Sequence, residues 1–549
     1  MEDRLRRLLS GDAVAWSASV GIVGFALALG MLASRDVGSW RTAVLQACLV
    51  ACAGVGAAAM WRRSGTSALV LVAGVAVLAR AVLLPGPPFQ SNDIYRYLWD
   101  GRLLAHGIDP YVVVPSSPSL QMWHAGDWLY PFIDWRDVPT LYPPLDLGLY
   151  TLGAILGDPV RSVVPLKCVL LLGDLGTIAL LAYALRSRGL PLGRLAVYAW
   201  NPLAIVEFGL NGHEESVAIA FLVATIVAFR RDRPGVAGMA LAGAVLSKLY
   251  PLAFVPAIFA RRALVRPALA CVAIVALAYV PFVAWNRDVL GFLHAFAFGY
   301  HFNDSLHRLV GTTGAAAILL GAIAIAVIER ARGLRAVTIL LALELVYLLV
   351  SPNVYPWYVV VFAALVPLFA DPFDRPMRPL AVALLAWTAL APLAYLAPWW
   401  QPVDSPADII AHAIEYAPIV IAALVYARRD WRRVAALLGI AALPSCASPA
   451  RAAASPPRDR VAITRGATFY AANCAICHTP TATSFVGPDL THVAARRSHA
   501  SLRAHIATSV PNGTTFSPAT VDALVAYLTA LDTTTRERSR AIHERLATK

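Results

Sequence analysis

RRDWRRVAALLGIAALPSC, residues Arg428–Cys446, marks where the chain changes character. A basic cluster leads into the apolar run Val434–Leu443, and the small polar string after it, ASPARAAASPP at Ala447–Pro457, reads as a flexible linker. Toward the N-terminus, apolar runs of roughly 15–22 residues recur from Ala13 to Tyr426, near the length that crosses about 30 Å of hydrocarbon. Toward the C-terminus, Arg451 to Lys549 has no run long enough to span. The chain has 549 residues, 58% hydrophobic and 14% charged, with a mean hydropathy of +0.63. A soluble domain carries about 25% charged residues. The expected fold class is therefore all-α: a polytopic helical membrane domain over residues 1–430, a signal-like apolar segment and linker over 431–457, and a small all-α domain over 458–549. Counting every apolar run gives about 13–15 spans.

The net charge of +13 comes from 46 Lys+Arg against 33 Asp+Glu. Its basic residues fall in short clusters between apolar runs, at Arg62-Arg63, Arg186–Arg194, Arg230–Arg233, Arg330–Arg335 and Arg428–Arg433, as expected of cytoplasmic loops rather than of nucleic-acid binding. With those clusters inside, spans near 13–34, 42–61 and 66–84 carry the chain out. The segment Pro85–Thr140 then lies on the outer face, joined there by Asn211–Glu215, the stretch around Lys248, Trp285–Arg308 and Ser351–Tyr358. Leu141–Gly157 must not cross if parity is to hold, so it reads as re-entrant or interfacial. Cys48, Cys52, Cys168 and Cys271 sit in apolar runs and read as small buried residues.

CAICH, Cys474–His478, has the Cys-x-x-Cys-His spacing in which two thiols bond the haem vinyl groups and the adjacent His ligates the iron. Zinc would want four ligands, and no second cysteine pair follows. Around this motif the sequence resembles the class I cytochrome c family from Gly466 to Leu531. Gly466–Tyr470 matches the first helix, Gly487-Pro488-Asp489-Leu490 the Gly-Pro-x-Leu turn, and VDALVAYLTAL at Val521–Leu531 the last helix. Val521, Leu524, Val525 and Leu528 would form its apolar face. The resemblance implies one covalent haem c on Cys474 and Cys477 with His478 as axial ligand, and an electron-carrying role. It departs in one respect. Pro511–Pro518 (PNGTTFSP) puts Thr514 and Thr515 where the family places its second ligand, methionine. His492, His499 and His505 are candidate replacements, beside water or an empty sixth site, and loss of thioether ligation lowers the reduction potential.

Arg428–Ala442 followed by Leu443-Pro444-Ser445-Cys446 resembles a lipoprotein signal ending at Cys446, a candidate lipidation site; the alternative is a last, short transmembrane helix. Either way the haem domain is expected on the outer face, in the periplasm of a bacterium, with the rest multi-pass in the inner membrane.

The outer loop SNDIYRYLWDGRLLAHGIDPY, Ser91–Tyr111, and LYPPL, Leu141–Leu145, place carboxylates next to an apolar span, which is costly without a purpose. With NPLAIVEFGLNGHEE (Asn201–Glu215), SKLYPL (Ser247–Leu252) and SPNVYPWY (Ser351–Tyr358), the set resembles the GT-C glycosyltransferases, particularly the polyprenol-phosphate-mannose-dependent mannosyltransferases and family 87. The resemblance implies transfer of a hexose from a polyprenyl-phosphate donor to a glycan acceptor, inverting or retaining. Such transfer needs a carboxylate to deprotonate the acceptor and cations to hold the leaving phosphate. Asp93 matches the first-loop aspartate and is the expected general base, with Asp100 as the fallback or as a residue positioning substrate or a divalent metal. Arg96, Arg102, His213 and Lys248 are candidates for the donor phosphate, with snorkelling to the interface as the alternative for Lys248. Tyr142, Trp357 and Tyr358 are candidates for the sugar site. Glu214-Glu215 departs from the more usual Asn-Gly-His-x-Asp pattern, which leaves the acidic partner open.

Two other classes compete. A respiratory quinol-oxidising subunit would hold b-type haem between histidines inside helices, yet His106, His124, His213, His294, His301 and His307 fall in outer segments and only His412 does not. A lipid-linked sugar transporter would show internal pseudo-repeats, and none is clear. The expected partners are membrane lipid, the lipid-linked sugar, the glycan acceptor and a periplasmic redox partner. The junction of the two modules is open to three readings: an uncoupled fusion, a redox-regulated transferase, or two products separated at Cys446.

Overall fold

In hydrocarbon every backbone N–H and C=O must be bonded internally, so long apolar runs have one open-ended solution, the helix. The computed structural model, which describes residues 11–33, 40–124, 126–260, 264–285, 289–369, 377–396, 406–429, 503 and 517–528, is built accordingly. Among the described residues the only β pairing is an isolated bridge between Phe302 and Asn353. The chain divides into one unit of Met1–Leu396 with Ala411–Ala441 and another of Ala397–Ile410 with Ala442–Lys549.

The first unit opens with α1 (Gly11–Ala33), which packs against both α2 (Trp40–Met60) and α3 (Thr66–Leu83). On α3, Ala68, Val72, Val75, Ala79 and Leu83 are buried at helical spacing, whereas Val70, Val77 and Leu78 are exposed on the far side. An apolar outer face is what lipid demands. The chain then forms the amphipathic α4 (Asp93–Ala105) and the 14-residue α5 (Pro144–Gly157), too short to cross alone, as expected of a re-entrant segment. These two helices approach so closely that a Cβ on Gly101 would lie 2.2 Å from the backbone of Tyr150; only glycine fits. Beyond them come α6 (Val164–Arg186), α7 (Glu215–Arg230), α8 (Pro234–Ser247), α9 (Val265–Trp285), α10 (Leu306–Ala331), α11 (Ala336–Val350), α12 (Arg378–Leu390) and α13 (Pro406–Arg429).

Eight described helical segments are long and apolar enough to cross a bilayer: α1, α2, α3, α6, α9, α10, α12 with its continuation to Tyr395, and α13. This makes the chain a multi-pass membrane protein. Fewer segments reach span length than the apolar runs suggested, because several of those runs fold as shorter pieces, among them Pro234–Ser247, Ala336–Val350 and Pro356–Leu368. The cysteines also differ from expectation. Cys271 is buried, but Cys48 and Cys52 are half-buried and Cys168 is exposed on α6. A thiol is small and apolar enough to face lipid as easily as a core.

Three of the basic clusters meet at one place. Arg188, Arg230, Arg231, Arg330 and Arg335 line a cavity of about 690 Å³, consistent with loops that share one side of the membrane.

Besides the first residues of α13, 406–410, the described residues of the second unit are Arg503, Ser517 and the helix Pro518–Leu528, which buries Val521, Leu524, Val525 and Leu528 along one face. The Ser517 hydroxyl accepts from the Thr520 backbone N–H at its start, a side-chain cap. Cys446, Cys474, Cys477, His478, His492, His499 and His505 lie outside the described residues.

Candidate active site

The site begins where α4 begins. The Ser91 hydroxyl accepts from the Asp93 backbone N–H, and the helical period then puts Asp93, Arg96, Tyr97 and Asp100 on one face. Each nitrogen of Arg96 makes a bond: Nε donates to Asp100 Oδ1 (2.8 Å), Nη1 to the Trp135 carbonyl (2.7 Å) and Nη2 to the Val138 carbonyl (2.9 Å). It pins the outer loop to the helix. Asp100 is inaccessible to solvent and faces Arg96.

A second element comes from NPLAIVEFGLNGHEE. Asn201 caps the short helix Pro202–Val206 by accepting from the Leu203 and Ala204 N–H groups. That helix widens into a π-helical turn over Glu207–Asn211, which ends at Gly212 in the left-handed conformation (φ 75°) that glycine adopts without strain. The turn brings Glu207 Oε2 within reach of both Asn211 Nδ2 (2.8 Å) and His213 Nδ1 (2.9 Å), while the Tyr395 hydroxyl donates to Oε1 (3.0 Å). His213 therefore gives its Nδ1 proton to Glu207 and aims Nε2 toward Asp93 Oδ2, 3.8 Å away. Burial disfavours a charged imidazole, but Glu207 outweighs it and His213 is pushed above its ordinary value.

Third, α8 ends at Ser247, whose hydroxyl donates to Asp146 Oδ1 (2.8 Å), and Lys248 turns extended. Its ammonium lies 2.6 Å from Glu214 Oε1 and 2.6 Å from Glu215 Oε1, under the ring of Tyr358 at 5.0 Å. Burial opposes the charge; the two glutamates outweigh burial and hold Lys248 protonated. The side chain turns inward instead of snorkelling outward. Fourth, SPNVYPWY supplies a ladder of rings: Tyr355 on Trp357 at 4.6 Å, and Trp357 on the His213 imidazole at 3.7 Å and 18°.

Asp93, Arg96, Tyr97, Tyr142, Glu214, Lys248, Trp357 and Tyr358 thus face one cavity. The Asp93 carboxyl is pushed up to about 6: burial is the largest cause, His213 and Lys248 work against it, and Glu214 and Asp134 add to it. A carboxyl tuned toward neutrality, a cation and a rank of rings suit proton abstraction beside a sugar. Arg102 lies elsewhere. Its guanidinium is held by Asp158 (2.6 and 2.8 Å) and Asp127 (2.7 Å), and it does not line the cavity.

Glu207, Asp146, Asp134 and Tyr395 were not singled out in the sequence. A carboxylate inside an apolar run is itself a signal, and it would have found Glu207 and Asp146. Nothing local marks Tyr395.

Comparison with known proteins matches two parts of the chain. Residues 10–266 match the family described as alpha-(1->6)-mannopyranosyltransferase, N-terminal domain, and residues 461–528 match cytochrome C oxidase, cbb3-type, subunit III. The alpha-(1->6)-mannopyranosyltransferase A of Corynebacterium glutamicum is 30% identical over 208 residues, 37% of this chain and 36% of that protein. An alpha-(1->6)-mannopyranosyltransferase of Mycobacterium tuberculosis is 31% identical over 144 residues, 26% of this chain and 24% of that one. The match therefore spans about a third or less of these curated relatives. No solved structure matches the chain. Asp93, Tyr142, His213 and Lys248 fall inside the matched region, and Trp357 and Tyr358 outside it. The chain joins a mannosyltransferase-like membrane domain, similar to the N-terminal domain of the alpha-(1->6)-mannopyranosyltransferases, to a cytochrome c domain similar to subunit III of the cbb3-type oxidases.

Proposed function

We propose that the membrane domain transfers a mannosyl group from a polyprenyl-phosphate donor to a hydroxyl of a glycan acceptor, on the outer face of a bacterial inner membrane. Asp93 takes the acceptor proton; the acceptor oxygen bonds to the anomeric carbon as the bond to phosphate breaks, and polyprenyl phosphate leaves with the electron pair. Lys248 has three N–H donors, of which two face Glu214 and Glu215, so one remains for the phosphate. His213 stands behind the cavity wall, its buried Nε2 3.8 Å from Asp93 Oδ2, and orients that carboxylate. Trp357, Tyr358 and Tyr142 line the sugar. The observation that carries this reading is the convergence of Asp93 and Lys248 on one ring-lined cavity from elements 155 positions apart in sequence (248 minus 93).

The test is transfer from polyprenyl-phosphate mannose in detergent or vesicles. Asp93→Asn keeps the shape and removes the base, and a loss of about 10²–10⁴-fold is expected. Undiminished transfer by Asp93→Asn overturns the assignment. The anomeric configuration of the product reports inversion or retention.

The C-terminal domain, in the same reading, holds one haem c through Cys474 and Cys477 with His478 on the iron, on the periplasmic side, and passes single electrons to a redox partner. Two adjacent thiols and an imidazole are the donor set such a group requires. A pyridine haemochrome spectrum with haem-stained electrophoresis tests it: a stained band at full length supports the fused protein, a small stained band supports release at Cys446, and unstained protein after expression with a maturation system removes the haem.

A further inference from the structure

From the α9–α10 connection into the first turn of α10 the chain reads HFNDSLH, His301–His307. His301, Asp304 and His307 are spaced three apart, and the turn that carries them bends their side chains to one point. His301 Nδ1 lies 3.2 Å and His307 Nδ1 3.6 Å from the same oxygen, Asp304 Oδ2. One ligand atom from each of the three falls within 4.8 Å of the other two. A tetrahedral zinc ion with bonds of about 2.0–2.2 Å sets its ligand atoms about 3.3–3.5 Å apart, so both distances lie within about 0.1 Å of a coordination edge.

A hydrogen-bonded carboxylate explains part of this arrangement and leaves a remainder. Asp304 is satisfied on its other oxygen, which accepts from Arg308 Nε at 3.2 Å. His307 is not satisfied: its side chain is 6% exposed, and Nδ1 is buried without a hydrogen bond while pointing at Asp304 Oδ2. Leaving such an atom bare is costly unless something fills the gap. The outer shell fits a ligand role, since the second ring nitrogen of His307 lies 3.5 Å from the Thr312 hydroxyl, and ligating imidazoles present their other nitrogen to a polar partner. His301, 44% exposed, leaves one side open to an incoming ion.

We propose that His301, Asp304 and His307 bind one divalent transition-metal ion, with zinc as the best match to two imidazoles and a carboxylate. The ion anchors a segment already tied to the loop that lines the cavity. Phe302 N–H donates to the Pro352 carbonyl, Val354 N–H donates back to Phe302, and the Phe302 ring stacks on Tyr355 at 4.4 Å. His412 holds the Asp304 carbonyl from α13 (2.9 Å). Metal at this point fixes the ring ladder from outside the cavity; it is a positioning element and touches no substrate.

The experiment uses the full chain, haem-loaded, dialysed against zinc and then metal-free buffer, with zinc and iron measured separately by mass spectrometry. His301→Ala with His307→Gln is compared with native protein and with Asp93→Asn. Native protein and Asp93→Asn should hold about one more zinc per chain than the double variant, whatever the tail binds. Chelation should lower the unfolding temperature of native protein and not that of the double variant. Because His301 is half-exposed, His301→Ala alone serves if the double variant fails to fold. Equal zinc in native and variant chains, or equal response to chelator, overturns the proposal. Asp93→Asn separates this outcome from failure of the transferase reading, since it abolishes transfer and leaves the metal in place.

Discussion

Two of the groups of buried charge in the membrane domain are finished differently. In the first, Arg80 of α3 pairs through Nε with Asp174 of α6, donates Nη1 to the carbonyls of Ala199 (2.8 Å) and Ala76 (3.1 Å), and Tyr198 completes the carboxylate at 2.7 Å. Every strong valence is closed by protein. In the second, around Asp93, His213 and Lys248, valences are left over: His213 Nε2 and Glu215 Oε2 are buried without a hydrogen bond, next to the Asp93 and Lys248 that line the cavity. Charge placed to hold helices together is saturated, whereas charge placed to meet a ligand keeps donors and acceptors in reserve. That difference, rather than the presence of charge, separates structure from site here.

Breaking the first group should have the largest effect. Arg80→Leu strands Asp174 in a place with no access to solvent, and loss of one partner of a buried pair costs about 3–5 kcal/mol. The unfolding temperature in detergent should fall steeply, and Arg80→Leu with Asp174→Leu should recover much of it, because no lone charge remains. If the single variant is as stable as the native chain, the pair is not closed as described.

The second group is tested by protons. Asp93 works as a base only when ionised, so transfer must rise with pH through its titration. Burial has moved that titration from the ordinary carboxylate range up to about 6. Below that point kcat/KM should fall about tenfold per pH unit, and above it level off. An inflection near 4 would mean that Asp93 is solvated during catalysis and the cavity is not its working environment.

The same contrast shows what the sequence could and could not tell. Asp93, Tyr142, Lys248, Trp357 and Tyr358 were all nameable from short motifs, and the fold brings them to one cavity because each motif sits at the end of a helix or in the chain between helices. The cytochrome module was legible from CAICH and the spacing around it, and residues 461–528 match a known cytochrome domain. Glu207 was hidden for a geometric reason. Six residues separate it from His213, a spacing that puts two side chains on different faces of a regular helix, and only the π turn and the left-handed Gly212 bring them together.

Arg102 makes the smallest and sharpest case. By motif it stands beside Arg96, but it is nine residues from Asp93, and at about 100° per residue nine steps end half a turn away. The helix accordingly turns it from the cavity onto Asp127 and Asp158, a group closed like that of Arg80 but nearer water, with side-chain exposures of 8%, 17% and 29%. Carboxylates that can rehydrate lose less when their partner goes, so Arg102→Gln should cost only about 1–2 kcal/mol of stability. Transfer per folded molecule should be unchanged, because nothing Arg102 touches faces the cavity. A drop in transfer by protein that unfolds at the native temperature would place Arg102 on the donor, and the rule that saturated charge is structural would then fail at the position where it is easiest to check.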